Sequence, residues 1–213
     1  MVVRTLYNVG VAAAQRAIHP HKYQALNGIG FIRPHVWKGR CGPFDIGLNG
    51  VMDQTAATYN MENARWAMGI LGSGLQQAIS KKWGWVAGFN TMNMLEEIPF
   101  GKAYEIHTYV TYWEKEGVWW FFDHTFICPE TGNVLAKGMT RTILRNSKKE
   151  KIHMPQYLEL MDVTREHPGE MPENVKAYLE LDNQTRIRME SWRGKEEFQP
   201  SPLSELPVEI SHK

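Results

Sequence analysis

A chain of 213 residues with 43% hydrophobic content can fill one domain with short extensions and is short for two. Lys and Arg number 24 against 23 Asp and Glu, a net charge of +1 that gives no global attraction to nucleic acid or to an anionic membrane. Two cysteines, Cys41 and Cys128, with no C-x-x-C and no His/Cys cluster at ligand spacing, argue against a disulfide scaffold, a structural zinc site or any other metal, and fit a reducing, cytoplasmic compartment.

The first element is a helix over residues 2–18, broken by His19-Pro20-His21. No Asp or Glu precedes Asp45, whereas Arg4, Arg16, Lys22, Arg33, Lys38 and Arg40 all do. Such a start suits a docking helix of the mature fold, with an organelle transit segment or an N-terminal anchor as alternatives. No run approaches the ~20 apolar residues of a spanning helix, so no stable membrane insertion is expected, and Val9 to Ala14 is too short and too weakly apolar for a signal-peptide core. Gly30 to Lys38 reads as a first strand. From Thr55 to Ile79 the residues Ala57, Met61, Ala64, Met68, Leu71, Leu75 and Ala78 recur at alternating spacings of four and three, which predicts one long core helix. Gly69, Gly72 and Gly74 weaken that helix by about 1 kcal/mol each, so they call for the close approach of a sheet or partner backbone.

Downstream the period changes to two. Val86 to Leu95, Ala103 to Trp113, Val118 to Cys128 and Val134 to Leu144 are β-rich runs. Turns at Pro99-Phe-Gly101, Glu114 to Gly117 and Pro129 to Asn133 would make them successive antiparallel neighbours. In the run Ala103 to Trp113, Tyr104, Ile106, Thr108, Val110 and Tyr112 share one face, with Glu105, His107, Tyr109 and Trp113 on the other. Burying the helix stripe and one sheet face together wraps a curved antiparallel sheet around one long helix, an α+β fold. Residues 1–28 form an N-terminal helical extension and 29–150 the main domain. Residues 151–213 form a C-terminal extension with a helix over 172–192 and an extended tail from Pro200.

The segment Asp45-Ile-Gly47-Leu-Asn49-Gly50-Val51-Met52-Asp53-Gln54 runs directly into the long helix with Tyr59, Glu62, Ala64 and Arg65. A polar, Gly-broken loop at a helix N-terminus is where N–H groups can stabilise developing negative charge. The order is similar to the pattern D-x-D-x-x-G-H-V-N-N-x-x-Y-x-x-x-x-E-x-A-R of hotdog-fold thioesterases of the 4-hydroxybenzoyl-CoA thioesterase type. Asp45, Gly50, Met52 and the Glu62, Ala64, Arg65 triplet fall in register. Gly47 stands where that family carries its usual catalytic carboxylate, Val51 where many members have histidine, Asp53-Gln54 for Asn-Asn, and Ala57 for tyrosine. Tyr104 to Thr108, Trp113 to Lys115 and Phe122 to Phe126 also resemble the family's central strands, so the likeness covers about residues 30–146. It implies the hotdog fold, an acyl-coenzyme A or acyl-carrier-protein substrate, no cofactor, and a homodimer or higher homo-oligomer.

Thioester hydrolysis needs a carboxylate to attack or to activate water, and N–H donors for the oxyanion. The candidate catalytic residues are Asp53, Asp45 and Glu62, with Asp53 favoured at the helix N-terminus, although a helix cap is its plain alternative. Glu62 can instead pair with Arg65 at i, i+3. Asn49, Gly50, Gln54 and Tyr59 are candidate substrate-binding groups. His107 and His124, on adjacent runs, could face each other, and Trp113 and Trp119 to Phe122 form an aromatic belt. No G-x-S-x-G, P-loop or G-x-G-x-x-G is present, which sets aside serine hydrolases, nucleotide hydrolases and dinucleotide oxidoreductases. The expected activity is acyl-thioester hydrolysis; the alternatives are a cyclase, isomerase or dehydratase on a polyketide-like or fatty acyl substrate, and a non-catalytic acyl-binding module.

Overall fold

The structure is a computed structural model and describes residues 2–24, 26–115 and 117–193, so the tail expected from Pro200 lies outside the described residues. Two units divide the chain, residues 1–175 and 176–213. The first begins with α1 (Val2–Ile18) and α2 (Pro20–Gln24). The strand expected over Gly30 to Lys38 is instead β1 (His35–Arg40). Residues 26–33 turn, with Gly28 and Gly30 at φ 73° and 86°, and Gly30 accepts from the Val110 N–H through its carbonyl at 2.7 Å. Its turn places Phe31 in the core, which a strand through Gly30 would not do.

Asp53 starts the central helix α3 (Gln54–Leu71), where its carboxylate accepts from the Ala56 N–H at 2.7 Å and satisfies a donor that the first turn leaves open. Ala57, Met61, Ala64 and Met68 are buried along one face of it. The single helix expected to reach Ile79 is broken. After Gly72 the chain passes through Ser73 at φ 69° into a short helix, α4 (Gly74–Ser80). A Cβ on Gly74 would collide with the Tyr157 hydroxyl, so glycine lets α4 pass closely against α5 (Met154–Leu160). Leu75 and Ala78 stay buried across the break, which explains why the sequence period runs through it.

The sheet contains β2 (Gly84–Met94), β3 (Ala103–Trp113), β4 (Trp119–Ile127), β5 (Val134–Arg145) and the two-residue β6 (Lys151–Ile152). Its order is β1-β3-β4-β5-β2, with β6 also on β5 and every pair antiparallel. The curled sheet with its helices is the expected hotdog architecture. One connection differs. β2 pairs with β5 and not with β3, so Pro99 to Gly101 is no hairpin turn but part of a crossover. The crossover is held by bonds to the 45–53 loop, including Met52 N–H to Ile98 O at 2.8 Å and Phe100 N–H to Gly50 O at 3.1 Å.

A bulge in β3 between Val110 and Tyr112 reverses the alternation beyond it. Trp113 thereby joins Val110 in the core, while Tyr112 packs on Phe121 at 6.1 Å between ring centres. Two buried clusters fill the space between α3 and the sheet. Ala57, Met61 and Ala64 meet Ile98, Tyr104, Ile106 and Phe126; Met68 meets Phe31, Trp120, Phe122 and Tyr157. In the C-terminal part, α6 (Glu173–Trp192) is a polar helix with an Arg186–Glu190 pair at 3.7 Å.

The helix and sheet approach closely at Gly138, where a Cβ would lie 2.5 Å from Met61 Sδ and 2.9 Å from Thr91 O. Gly138→Val is expected to cost roughly 1–3 kcal/mol by overpacking, read as a lowered urea midpoint. Gly84→Ala, which meets nothing within 4 Å, should leave that midpoint nearly unchanged.

Candidate active site

The loop between β1 and α3 is fixed by its own polar groups. Asp45 is buried. Its Oδ2 accepts from the Gly42 N–H at 2.8 Å, its Oδ1 from Asn60 Nδ2 at 3.2 Å, and its carbonyl from the Asp53 N–H at 3.0 Å. A carboxylate with donors on both oxygens fastens the loop to α3. Gly50, at φ 76°, turns the chain in a left-handed conformation suited to glycine, and Gly47 N–H closes the turn on Val51 O at 2.9 Å. Asn49 is exposed, and its Oδ1 accepts from the Val51 N–H at 3.4 Å. Gln54 donates to Met92 O at 2.7 Å, and Tyr59 meets Thr5 of α1 at 2.5 Å. The four expected substrate-binding residues therefore line one end of α3, and three of their side chains bond to protein.

The three candidate carboxylates do not converge. Asp45 is inside, Asp53 caps α3 and is exposed, and Glu62 lies nine residues beyond Asp53. At 1.5 Å rise per residue, that separates the last two by roughly 13 Å along the helix, too far to act on one carbonyl within a protomer. Glu62 accepts from Trp66 Nε1 at 3.3 Å. Arg65 turns to the sheet, where it bonds to Thr140 and to Asn90 Oδ1 at 3.4 Å, and Thr140 in turn donates to Asn90 at 2.7 Å.

Between the second half of α3 and strands β2, β4 and β5 lies a cavity of about 80 Å³. Glu62, Arg65 and Thr142 are its polar lining, and Phe31, Trp85 and Phe122 are among its apolar walls. Sequence periodicity marks Met68, which also lines it, but nothing in spacing alone brings Phe31 or Trp85 to it. Of the three carboxylates, Glu62 alone borders this cavity. No group of His, Cys, Asp and Glu among the described residues is arranged to hold a metal ion.

His107 and His124 do not face each other. Thr108 is the residue opposite His124, and His107 lies opposite Thr125 on the other face, where it bonds Glu105 at 3.2 Å. His35, Thr108 and His124 instead form a buried row across β1, β3 and β4, with Thr108 Oγ1 3.0 Å from His124 Nδ1. Burial pushes His35 down to about 4 and His124 well below its usual value, the latter with a contribution from Arg65. Both imidazoles are therefore neutral at pH 7. The unfolded chain takes up the His35 proton near pH 6.5 and the folded chain only near 4, with His124 shifted in the same direction, so this contribution leaves stability intact above pH 6.5 and erodes it as pH falls. For His35 the loss between pH 6.5 and 5 is expected to total about 1.6 kcal/mol, and His35→Gln should lower the slope of stability against pH in urea titrations.

A family model described as Thioesterase-like superfamily matches residues 41–179. No curated protein has a matching sequence. Among solved structures, Slr0204, a 1,4-dihydroxy-2-naphthoyl-CoA thioesterase from Synechocystis, superposes with a TM-score of 0.51 at 15% identity, covering 60% of this chain and 94% of its own. BH1999 gentisyl-coenzyme A thioesterase gives 0.50 at 21% identity, covering 59% and 99%. The 12:0-ACP thioesterase from Umbellularia californica gives 0.51 at 11% identity, and the match covers 64% of this chain but 53% of that one.

Proposed function

The chain belongs to the thioesterase-like superfamily, and from that membership we propose that it hydrolyses acyl thioesters of coenzyme A or acyl carrier protein, with Glu62 as the general base. The observation that carries the reading is the position of Glu62 on the border of the apolar cavity beside α3. In the proposed reaction the acyl group enters the cavity and the thioester carbonyl rests at its mouth. Glu62 removes a proton from a water whose oxygen attacks the carbonyl carbon. The C–S bond then breaks, and the departing thiolate takes up the proton. Arg65, lining the same cavity, offers positive charge to the developing oxyanion. Solved structures of similar fold carry names with both coenzyme A and carrier-protein thioesters, so both carriers remain in the proposal.

Asp53 is supported as the competing base by its exposure and by its place at the α3 N-terminus, but one of its oxygens serves the helix cap. Glu62→Gln should lower turnover on a panel of acyl-CoA and acyl-pantetheine thioesters by roughly 10²-fold or more, with the melting temperature nearly unchanged. Asp53→Asn should retain most activity. The opposite ranking would move the chemistry to the helix N-terminus, a dehydrated or cyclised product would support altered chemistry, and binding without turnover a non-catalytic module.

We also propose a homodimer. The long strand β2 has β5 on one side and is the end strand of the sheet, an edge that soluble proteins usually cover. Phe44 and Leu48 in the loop and Phe100 in the crossover are large and exposed. Sedimentation of the native chain should give a dimer at micromolar concentration, and Leu48→Asp should weaken it; a fully active native monomer would remove the proposal.

A further inference from the structure

The helix α1 has two apolar faces, and the fold uses one. Its packed side reaches α3 through Thr5 on Tyr59, Ala12 against Ala67 and Ile70, and Arg16 bonded to the Leu71 carbonyl and, at 2.9 Å, to Asn27. Turned away from α3 are Leu6, Tyr7, Val11 and Ile18, which are 64%, 70%, 38% and 69% exposed. Gly10, Ala14 and Ala17 lie exposed among them. At 100° per residue these seven fall within an arc of about 140° that contains no charged side chain. Contiguous exposed apolar surface of this kind marks a site of contact with something else.

The charge that follows the end of α1 indicates what the contact is. Six of the 24 basic residues and none of the 23 acidic ones precede Asp45. The near-neutral total therefore hides a cationic beginning and an acidic remainder. At the end of α1, His19, His21 and Lys22 are exposed, and Arg33 is exposed in the following turn. Arg16 is bonded into the fold and Lys38 pairs with Glu105 at 3.4 Å, which leaves Lys22 and Arg33 as exposed cations beside no acidic residue of their own segment, and pairing α1 with a second copy of itself would supply them with none. An anionic lipid surface satisfies both features, because its headgroups attract the basic groups while its acyl boundary accepts the apolar arc.

We propose that α1 is an interfacial docking helix that lays Leu6, Tyr7, Val11 and Ile18 into the surface of an anionic bilayer. The binding is peripheral: no helix among the described residues is long and apolar enough to cross a membrane. One apolar arc and a few cations give reversible adsorption, and it weakens as salt screens the headgroups. The inference is independent of the catalytic assignment, since its test needs no turnover.

The test is flotation of the full chain with vesicles of equal parts phosphatidylcholine and phosphatidylglycerol, beside vesicles of phosphatidylcholine alone. Co-flotation is expected with the first, little with the second, and less with the first in high salt. The double variant Leu6→Ser, Val11→Ser, whose side chains do not contribute to the α3 contact, should lose roughly tenfold in vesicle affinity with an unchanged melting temperature. Lys22→Glu should weaken binding in low salt only. No co-flotation of the native chain, or equal binding by the double variant, would overturn the proposal. So would a fall in the sedimenting mass of that variant without vesicles, because the face would then belong to another copy of the chain.

Discussion

The buried carboxylate of Asp45 is the interaction on which the candidate site depends. Its two oxygens hold Gly42 at the end of β1 and Asn60 on the second turn of α3, and its backbone carbonyl holds Asp53. Burial strengthens hydrogen bonds and makes an unpaired polar group costly, so the loop is fixed when every donor is in place. The crossover from β2 to β3 then completes it from outside, through Ile98 and Phe100. Sheet crossover, loop and helix start thus form one unit. The position of α3, and with it of Glu62, follows from that unit.

Much of this was legible in the chain, for reasons that differ by element. The four β-rich runs have a period near two, and the structure places strands on them within a residue or two. The alternation of α3 is equally clear, and the loop motif carries the family. Strand order was less accessible. Pro99-Phe-Gly101 has turn chemistry, yet turn residues specify a local bend and not which strands meet after it. The break at Ser73 left no mark on the apolar period, since α4 keeps its buried residues in phase. The reversal of Tyr112 and Trp113 comes from a bulge, which one inserted residue produces without altering composition.

The site was legible in outline but not in its division of labour. Reading along the chain places Asp45, Asp53 and Glu62 close together on one motif, whereas the helix rise sets Asp53 and Glu62 far apart and the hydrogen bonds draw Asp45 inside. The cavity next to Glu62 is assembled by Phe31 from the turn before β1, Trp85 from β2 and Phe122 from β4. Such walls come from topology, and no linear spacing records them. The histidines show the same limit: register across β3 and β4 separates His107 from His124 by a face, and pairs His124 with Thr108 instead.

The crossover also sets the order in which the sheet can be assembled. β3, β4 and β5 are joined by short turns and can pair as soon as each is made, at little loop-closure cost. β2 precedes them in the chain, yet its partner is β5, so Met94 must wait for Ala136 and Gly84 for Arg145. During synthesis an emerging strand containing Trp85, Phe89 and Met92 therefore exists before the surface that receives it. Long-range pairing of this kind is slow and exposes an edge while it is awaited. The glycines and asparagines interspersed along β2, at Gly84, Gly88, Asn90 and Asn93, lower its β-propensity during that interval, so the strand acquires its pairing from the finished sheet more than from its own sequence.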